Sequence, residues 1–371
     1  MYELKIGTVR EIKMHEYRVG LTPSNVRDYV AHGHEVFVQK GAGTGSSIAD
    51  DDYRAAGAVV YETAKEVWDL CDMIVKVKEP LAEEFPLMRE NQIIYTYLHL
   101  AAERPLTEAL LKNKVKSVAY ETIRDRDGGL PLLKPMSEIA GKISIQAGAR
   151  CLEIPSGGRG VLLSGAVGVR NADCVIIGGG VVGTAAMKMA IGLGANVTIM
   201  DNNLDRLTYL DDIFGNRIQT LFSSPAAVAE AIMEADLVIG AVLIPGAAAP
   251  KLIKKEHLSK MRKGSVIVDV AVDQGGMCET TRRTYHDNPT YVVDGVIHYC
   301  VANMPGAVAN TSTFALTNST LGYGLKIADM GLEAAIAEDP GLKLGVNTYN
   351  GKLTCLEVAE AFGMEYTADF M

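Results

Sequence analysis

The chain has 371 residues, of which 48% are hydrophobic and 22% charged, and its net charge is -9. This composition excludes a disordered chain and leaves room for two domains, and the negative balance excludes a general attraction to nucleic acid or to an anionic membrane. The longest uncharged apolar stretches, Cys174 to Met187 and Leu237 to Pro250, fall short of the ~20 residues of a membrane span, and no signal-peptide pattern opens the sequence.

The N-terminal third has a strand-then-helix rhythm. A strand over Leu4 to Val9 is followed by a helix from Thr22, with Pro23 in its first turn and Gly33 at its end, and then by a strand over Glu35 to Gln39. Further strands are expected at Met73 to Val77, Gln92 to Leu98 and Ser117 to Tyr120, with helices Glu62 to Leu70 and Leu106 to Lys112 between them. Alternation of this kind predicts a largely parallel sheet. The cluster Gly41-Ala42-Gly43-Thr44-Gly45 reads as a loop, because it lacks a third glycine at the right offset and runs into Asp50-Asp51-Asp52, which would repel phosphate.

The middle of the chain carries the sharpest signal, Gly178-Gly179-Gly180-Val181-Val182-Gly183, between the strand-like Cys174 to Ile177 and a helix-like Thr184 to Gly192. A dinucleotide pyrophosphate needs backbone N–H groups within reach, and glycines let the chain turn tightly while the next helix points its positive end at the phosphates. The following strand, Asn196 to Met200, ends at Asp201, eighteen residues past Gly183, where an acceptor for the adenosine ribose hydroxyls belongs. NAD is therefore expected, in preference to NADP. Strands at Arg217 to Leu221, Leu237 to Val242 and Ser265 to Val270, with helices Pro225 to Glu234 and His257 to Arg262, complete a doubly wound unit. From about Asn310 the segment is helical at Thr320 to Met330 and beyond, with too few strands for a third domain. The expected fold is α/β with two doubly wound Rossmann-like domains and an interdomain active-site cleft. Residues 1–132 with 309–371 form a discontinuous substrate domain, and 133–308 form the NAD-binding domain.

In open α/β sheets ligands bind beyond the carboxyl ends of the strands, and three polar residues stand there. Lys78 closes one strand before Pro80, His99 closes Gln92 to Leu98 and shares a face with Tyr97 and Tyr95, and Asp273 follows Ser265 to Val270 ahead of Gln274-Gly275-Gly276. A cation, a proton carrier and a carboxylate around a nicotinamide suit the oxidation of an amino or hydroxy acid. The six cysteines, at 71, 151, 174, 278, 300 and 355, show neither C-x-x-C nor Cys/His spacing, so no metal site and no disulfide framework is expected, and a reducing cytoplasm fits.

Several strings are long enough to be specific: Arg10-Glu11 with His15-Glu16-Tyr17-Arg18-Val19-Gly20-Leu21-Thr22-Pro23, Lys76-Val77-Lys78-Glu79-Pro80, Tyr97-Leu98-His99-Leu100-Ala101-Ala102, Pro135-Met136-Ser137-Glu138, Asp269-Val270-Ala271-Val272-Asp273-Gln274-Gly275-Gly276 and Val301-Ala302-Asn303-Met304-Pro305. On these the whole chain resembles the alanine dehydrogenase and nicotinamide transhydrogenase family. The resemblance implies reversible, NAD-dependent conversion of L-alanine to pyruvate and ammonium, with these small molecules as the partners and neither nucleic acid nor membrane involved, in a cytoplasmic homohexamer. It implies that Arg18 and Lys78 hold the substrate carboxylate or carbonyl and that His99 and Asp273 manage protons. It also implies nucleotide contacts from Ser137, Val181, Val182, Asp201, Arg206, Ser223, Val242, Leu243 and the Asn303 loop, which reaches the substrate as well.

Tyr97 and Met136 are expected at the wall of the cleft, so alanine should be preferred over bulkier amino acids. Closure is expected about Pro135-Met136-Ser137 and Asn303-Met304-Pro305-Gly306. The chain departs from the family pattern at Val9, His15, Gly20 and Val182, and only Val182 bears on the pyrophosphate turn. Two other readings are the nucleotide-binding part of a proton-translocating transhydrogenase, which would lead into membrane segments, and a catalytically silent NAD-binding protein, which would not need Arg18, Lys78, His99 and Asp273.

Overall fold

The computed structural model describes residues 3–242 and 249–371. In chain order its strands are β1 (Lys5–Thr8), β2 (Glu35–Gln39), β3 (Val59–Tyr61), β4 (Met73–Val75), β5 (Ile93–Thr96) and β6 (Lys116–Ala119). Then come β7 (Asp173–Ile177), β8 (Asn196–Asp201), β9 (Gln219–Phe222), β10 (Leu237–Gly240), β11 (Val266–Asp269), β12 (Thr290–Val293) and β13 (Val296–Tyr299), and finally β14 (Val346–Tyr349) and β15 (Lys352–Leu353). The chain divides into two compact units, Met1–Met136 with Val308–Met371, and Ser137–Ala307.

The first unit holds an eight-stranded sheet in the order β15-β14-β6-β5-β4-β1-β2-β3. From β6 to β3 every neighbour is parallel, and β14 runs antiparallel to both β6 and β15. Strands β4 and β5 are buried along their whole length, which is why they read as unbroken apolar runs rather than alternating ones. Local chemistry fixes the helix that follows β1. Thr22 caps Pro23–Ala31 in a reciprocal capping box with Asn25, and Gly33 ends the segment at φ +88. A core of Trp68, Ile74, Ile94, Leu98, Leu106 and Leu110 packs on one face, and Leu353, Val358 and Ala359 of the returning C-terminal segment join it.

The second unit holds a seven-stranded sheet, β12-β13-β11-β10-β7-β8-β9, parallel except for the β12/β13 hairpin. Each unit therefore reverses its strand order beside its first strand, between β1 and β4 in one and between β7 and β10 in the other. These are the topological switch points at which such sheets leave a crevice.

Several local expectations change. Asp50–Ala55 is a helix whose first turn carries all three aspartates, a placement favoured by the positive helix N-terminus. Pro135, Met136 and Ser137, expected as an irregular crossing, lie in the first turn of the helix Lys134–Cys151. The helix Ala309–Met330 starts eleven residues before the expected Thr320. The β12/β13 and β14/β15 hairpins were not anticipated, because both turns are short and polar and their strands have only two to four residues.

Candidate active site

In the first unit the loop after β1 delivers Arg18, the segment after β4 delivers Lys78 and the segment after β5 delivers His99. Arg18 is buried, and its guanidinium grips Glu16 at two points, Nε to Oε1 at 2.7 Å and Nη2 to Oε2 at 2.5 Å. Burial alone would raise the Glu16 carboxyl, but the Arg18 cation holds it down to about 2. The third nitrogen, Nη1, donates to the Met136 thioether at 3.0 Å. The loop is anchored from behind: the Val19 N–H donates to Thr313, whose hydroxyl shares a hydrogen bond with Ser46, and Ser46 also donates to the Tyr17 carbonyl. Gly45 is needed here, since a Cβ on it would stand 2.5 Å from the Tyr17 carbonyl oxygen. The glycine cluster dismissed as a loop thus supports the arginine.

Lys78 is half-buried. Burial pushes its ammonium below the usual lysine range, and Arg18 adds to the shift. Its backbone is bracketed by Glu11, whose Oε1 accepts the N–H groups of Val77 at 2.6 Å and Lys78 at 3.2 Å. The other oxygen of Glu11 meets Lys76 Nζ at 2.9 Å, and Glu84 meets the same ammonium at 2.9 Å. All three side chains are buried. Glu79 is buried beside Lys78 and pairs with Lys13.

His99 Nε2 lies 3.5 Å from Lys78 Nζ, and its ring stacks on Tyr97 at 5.9 Å with an interplanar angle of 1°. The shared face expected for Tyr97 and His99 is therefore present as a ring stack, although the backbone leaves the strand after Thr96 and His99 adopts a left-handed φ of 51°. Tyr97 is fixed in turn by donating to the Leu132 carbonyl at 2.5 Å. Burial lowers the His99 pKa, Glu121 opposes the shift and Lys78 reinforces it. Sequence reasoning missed Glu16, Glu11 and Glu121. Glu121 directly follows the strand expected to end at Tyr120, and Glu11 and Glu16 stand in strings that carry the family resemblance, but none was given a role.

In the second unit the glycine turn begins the helix Val181–Gly192 three residues earlier than expected, with Gly180 as its N-cap. Each glycine has its own reason. Gly178 sits at φ +105 with Ala241 of the neighbouring strand end 2.8 Å from where a Cβ would be, and a Cβ on Gly183 would fall 1.7 Å from the Gly178 carbonyl oxygen. A Cβ on Gly180 would meet nothing within 4 Å, so among the described residues open space lies beside the helix N-terminus, whose first N–H groups have no partner within the helix. A pyrophosphate fits such a cradle, and the residues present suit NAD. The Val182 side chain is buried and Val181 is the exposed one, so the departure at Val182 turns away from that space.

Asp201 ends β8. Its Oδ2 accepts the Gly179 N–H at 2.6 Å and its Oδ1 the Asn203 N–H at 2.9 Å. Arg206 donates from Nε to the Gly179 carbonyl at 2.7 Å and from Nη2 to Thr184 at 2.8 Å, with its guanidinium over the Tyr209 ring. Ser223 is half-buried just past β9, and its N–H donates to the Asp201 carbonyl at 2.9 Å. Val242 is half-buried just past β10, Ser137 is half-buried, and Leu243 lies outside the described residues. Asp273 is exposed on the short 3₁₀ segment Val270–Gln274 and pairs with Arg283 at 3.1 Å. Behind it Asp269 is fully buried, accepting from the Ala271, Met277 and Cys278 amides and from Thr281. Asn303 stands at φ 58°, and its carbonyl accepts the Gly306 N–H.

All six cysteines are buried and free, and among the described residues no helix is long and apolar enough to cross a membrane.

Comparison with known proteins adds to this geometry. The family model described as alanine dehydrogenase/PNT, N-terminal domain, matches residues 7–140, and the corresponding C-terminal domain model matches 144–356. An alanine dehydrogenase of Methanococcus maripaludis is 58% identical over 363 residues, covering 98% of this chain and 97% of that protein. A solved L-alanine dehydrogenase superposes with a TM-score of 0.95 at 52% identity, over 97% of this chain and 99% of the other. A transhydrogenase from Sinorhizobium meliloti superposes with a TM-score of 0.82 at 25% identity, over 95% and 99%.

Proposed function

The chain belongs to the alanine dehydrogenase/PNT family, and from that premise we propose that it catalyses the reversible, NAD-dependent oxidative deamination of L-alanine to pyruvate and ammonium. The observation that carries the reading is the gathering of Arg18, Lys78 and His99 at the carboxyl ends of β1, β4 and β5, around a switch point. We take residues 133–308 as the NAD-binding domain, and 1–132 with 309–371 as the substrate domain.

NAD, when bound at the glycine turn, supplies the acceptor for the hydride that leaves the substrate α-carbon. Asp201 receives the ribose hydroxyls, with further nucleotide contacts from Ser137, Val181, Val182, Arg206, Ser223, Val242 and Leu243. Glu16 holds the Nε–Nη2 edge of Arg18 and so orients the guanidinium, whose charge draws the substrate carboxylate. Lys78 polarises the oxygen of the carbonyl or carbinolamine, as an ammonium destabilised by burial and by the neighbouring Arg18 cation is suited to do. Neutral His99 accepts the proton of the water that attacks the substrate iminium and returns it to the leaving amine. Asp273 offers its negative charge to the iminium and ammonium cations, and the Asn303 loop contacts the substrate. Tyr97, stacked on His99, and Met136, in contact with Arg18, wall the side-chain end of the site and favour the small methyl group of alanine.

Purified protein should reduce NAD when supplied with L-alanine, at rates falling steeply through 2-aminobutyrate to leucine, and should form alanine from pyruvate, ammonium and NADH. Absence of alanine-dependent reduction, with hydride exchange between nucleotides instead, would favour the transhydrogenase reading suggested by the Sinorhizobium meliloti neighbour. We further infer a homohexamer, tested by light scattering, and a cytoplasmic location, in keeping with six buried, unpaired thiols.

A further inference from the structure

Strands β5 and β6 are parallel neighbours with Thr96 opposite Ala119, so residues just past their carboxyl ends face one another. Glu121 lies two residues past β6 and His99 three past β5. The Glu121 side chain is only 16% exposed. Its Oε1 accepts the His99 N–H at 2.6 Å and the Leu98 N–H at 3.0 Å, and Oε2 stands 3.3 Å from the latter. These bonds hold His99 in a left-handed conformation that a residue with a Cβ rarely adopts. The same Oε1 lies 3.7 Å from His99 Nδ1, and Lys78 Nζ lies 3.5 Å from Nε2 on the opposite edge of the ring. An ammonium has donors only, so the nitrogen facing it must accept, and a neutral ring then carries its hydrogen on Nδ1, toward the carboxylate.

We propose that Glu121 is a positioning residue that pins the His99 backbone and fixes its ring as the Nδ1–H tautomer, leaving Nε2 as the proton-accepting atom. This rests on the reading of His99 as the base. The groups that face the ring are Glu121 and Glu79, which favour its cation, and Lys78 and Lys13, which oppose it; burial opposes it most. Removing the Glu121 charge therefore lowers the His99 pKa further. The ring stays neutral to more acid pH but becomes a weaker base.

The test uses the full-length protein and nitrogen NMR of the His99 ring, assigned against H99N, together with the pH profile of kcat/KM for alanine. E121Q keeps an acceptor for both backbone N–H groups and loses the charge, whereas E121D keeps the charge. In the parent the neutral ring should be the Nδ1–H tautomer. In E121Q the titration midpoint of His99 and the acid limb of the profile should both fall by about one pH unit, and kcat should drop ~10-fold, with NADH binding unchanged. E121D should return the midpoint toward that of the parent. An Nε2–H tautomer in the parent overturns the proposal whether or not any variant folds, as does an unmoved midpoint in E121Q. Near-full activity of H99N would instead sink the assignment of His99 as base, and would leave the NMR result standing.

Discussion

Asp201 and Arg206 have a double duty that single-residue pattern reading does not reveal. The carboxylate proposed to receive a ribose also accepts the Gly179 N–H at 2.6 Å, so it shapes the glycine turn before any nucleotide arrives. Arg206, five residues on, could meet the 2′-phosphate of NADP once Asp201 is removed. Two of its five N–H donors, however, hold the Gly179 carbonyl and Thr184 and keep the guanidinium against the turn, and pulling them away leaves those acceptors unpaired at a cost of about 1–3 kcal/mol if they stay buried. Asp201→Ala should therefore narrow the preference for NAD mainly by weakening NAD. We expect kcat/KM for NAD to fall at least ~10-fold, equivalent to about 1.4 kcal/mol, with little gain for NADP. Steady-state kinetics with both nucleotides check this, and a variant that uses NADP better than the parent uses NAD would contradict it.

At the scale of elements, the buried trio of Lys76, Glu11 and Glu84 ties the loop after β1 to the end of β4, which is to say the Arg18 loop to Lys78. Three charges out of water are tolerable only while paired. Lys76→Met leaves two carboxylates without their cation and should cost about 3–5 kcal/mol of stability, measured by denaturant unfolding. The pH dependence has a definite sign. Burial already raises the Glu11 pKa in the folded state, so without Lys76 the folded chain takes up protons more readily than the unfolded one, and the deficit should shrink as the pH is lowered. A deficit that grows in acid would refute the account. This trio also marks where sequence reading stops. Lys78, His99 and Asp201 were legible because each ends an apolar strand, and the glycine turn because Gly178 and Gly183 leave no room for a Cβ. Glu11 and Glu16 lie in an irregular loop whose path is set by Thr313 and Ser46, hundreds of positions away in one case, and no local periodicity encodes such a contact. Asp50-Asp51-Asp52 were read only for their charge against phosphate, and the structure adds that they open the helix Asp50–Ala55, where acidic residues suit the positive N-terminus.

At the scale of the whole molecule, the two units differ in how the chain builds them. The second unit, Ser137–Ala307, is one continuous stretch, and its sheet ends in its own β12/β13 hairpin. The other unit needs both ends of the chain. Strand β14 pairs with β6, Thr348 bonds to both Ser117 and the Val115 carbonyl, and Leu353, Val358 and Ala359 fill the core around Trp68. The helix Ala309–Met330 adds Thr313 and Asn310, which hold the Arg18 loop and Ser46, and lets Gly324 approach the Tyr29 hydroxyl so closely that a Cβ there would stand 2.1 Å from it. Expressed alone, residues 133–308 should fold cooperatively and bind NADH, read by nicotinamide fluorescence, with no alanine-dependent activity. Residues 1–132 alone should not fold cooperatively, because β6 would become a bare edge and the core would lose one side. Supplying 309–371 on the same chain through a short glycine-rich linker, in place of the NAD-binding unit, should restore a cooperative transition. A fragment 1–132 that unfolds cooperatively by itself would show that the returning segment decorates this unit rather than completing it, and that the Arg18 loop does not depend on Thr313.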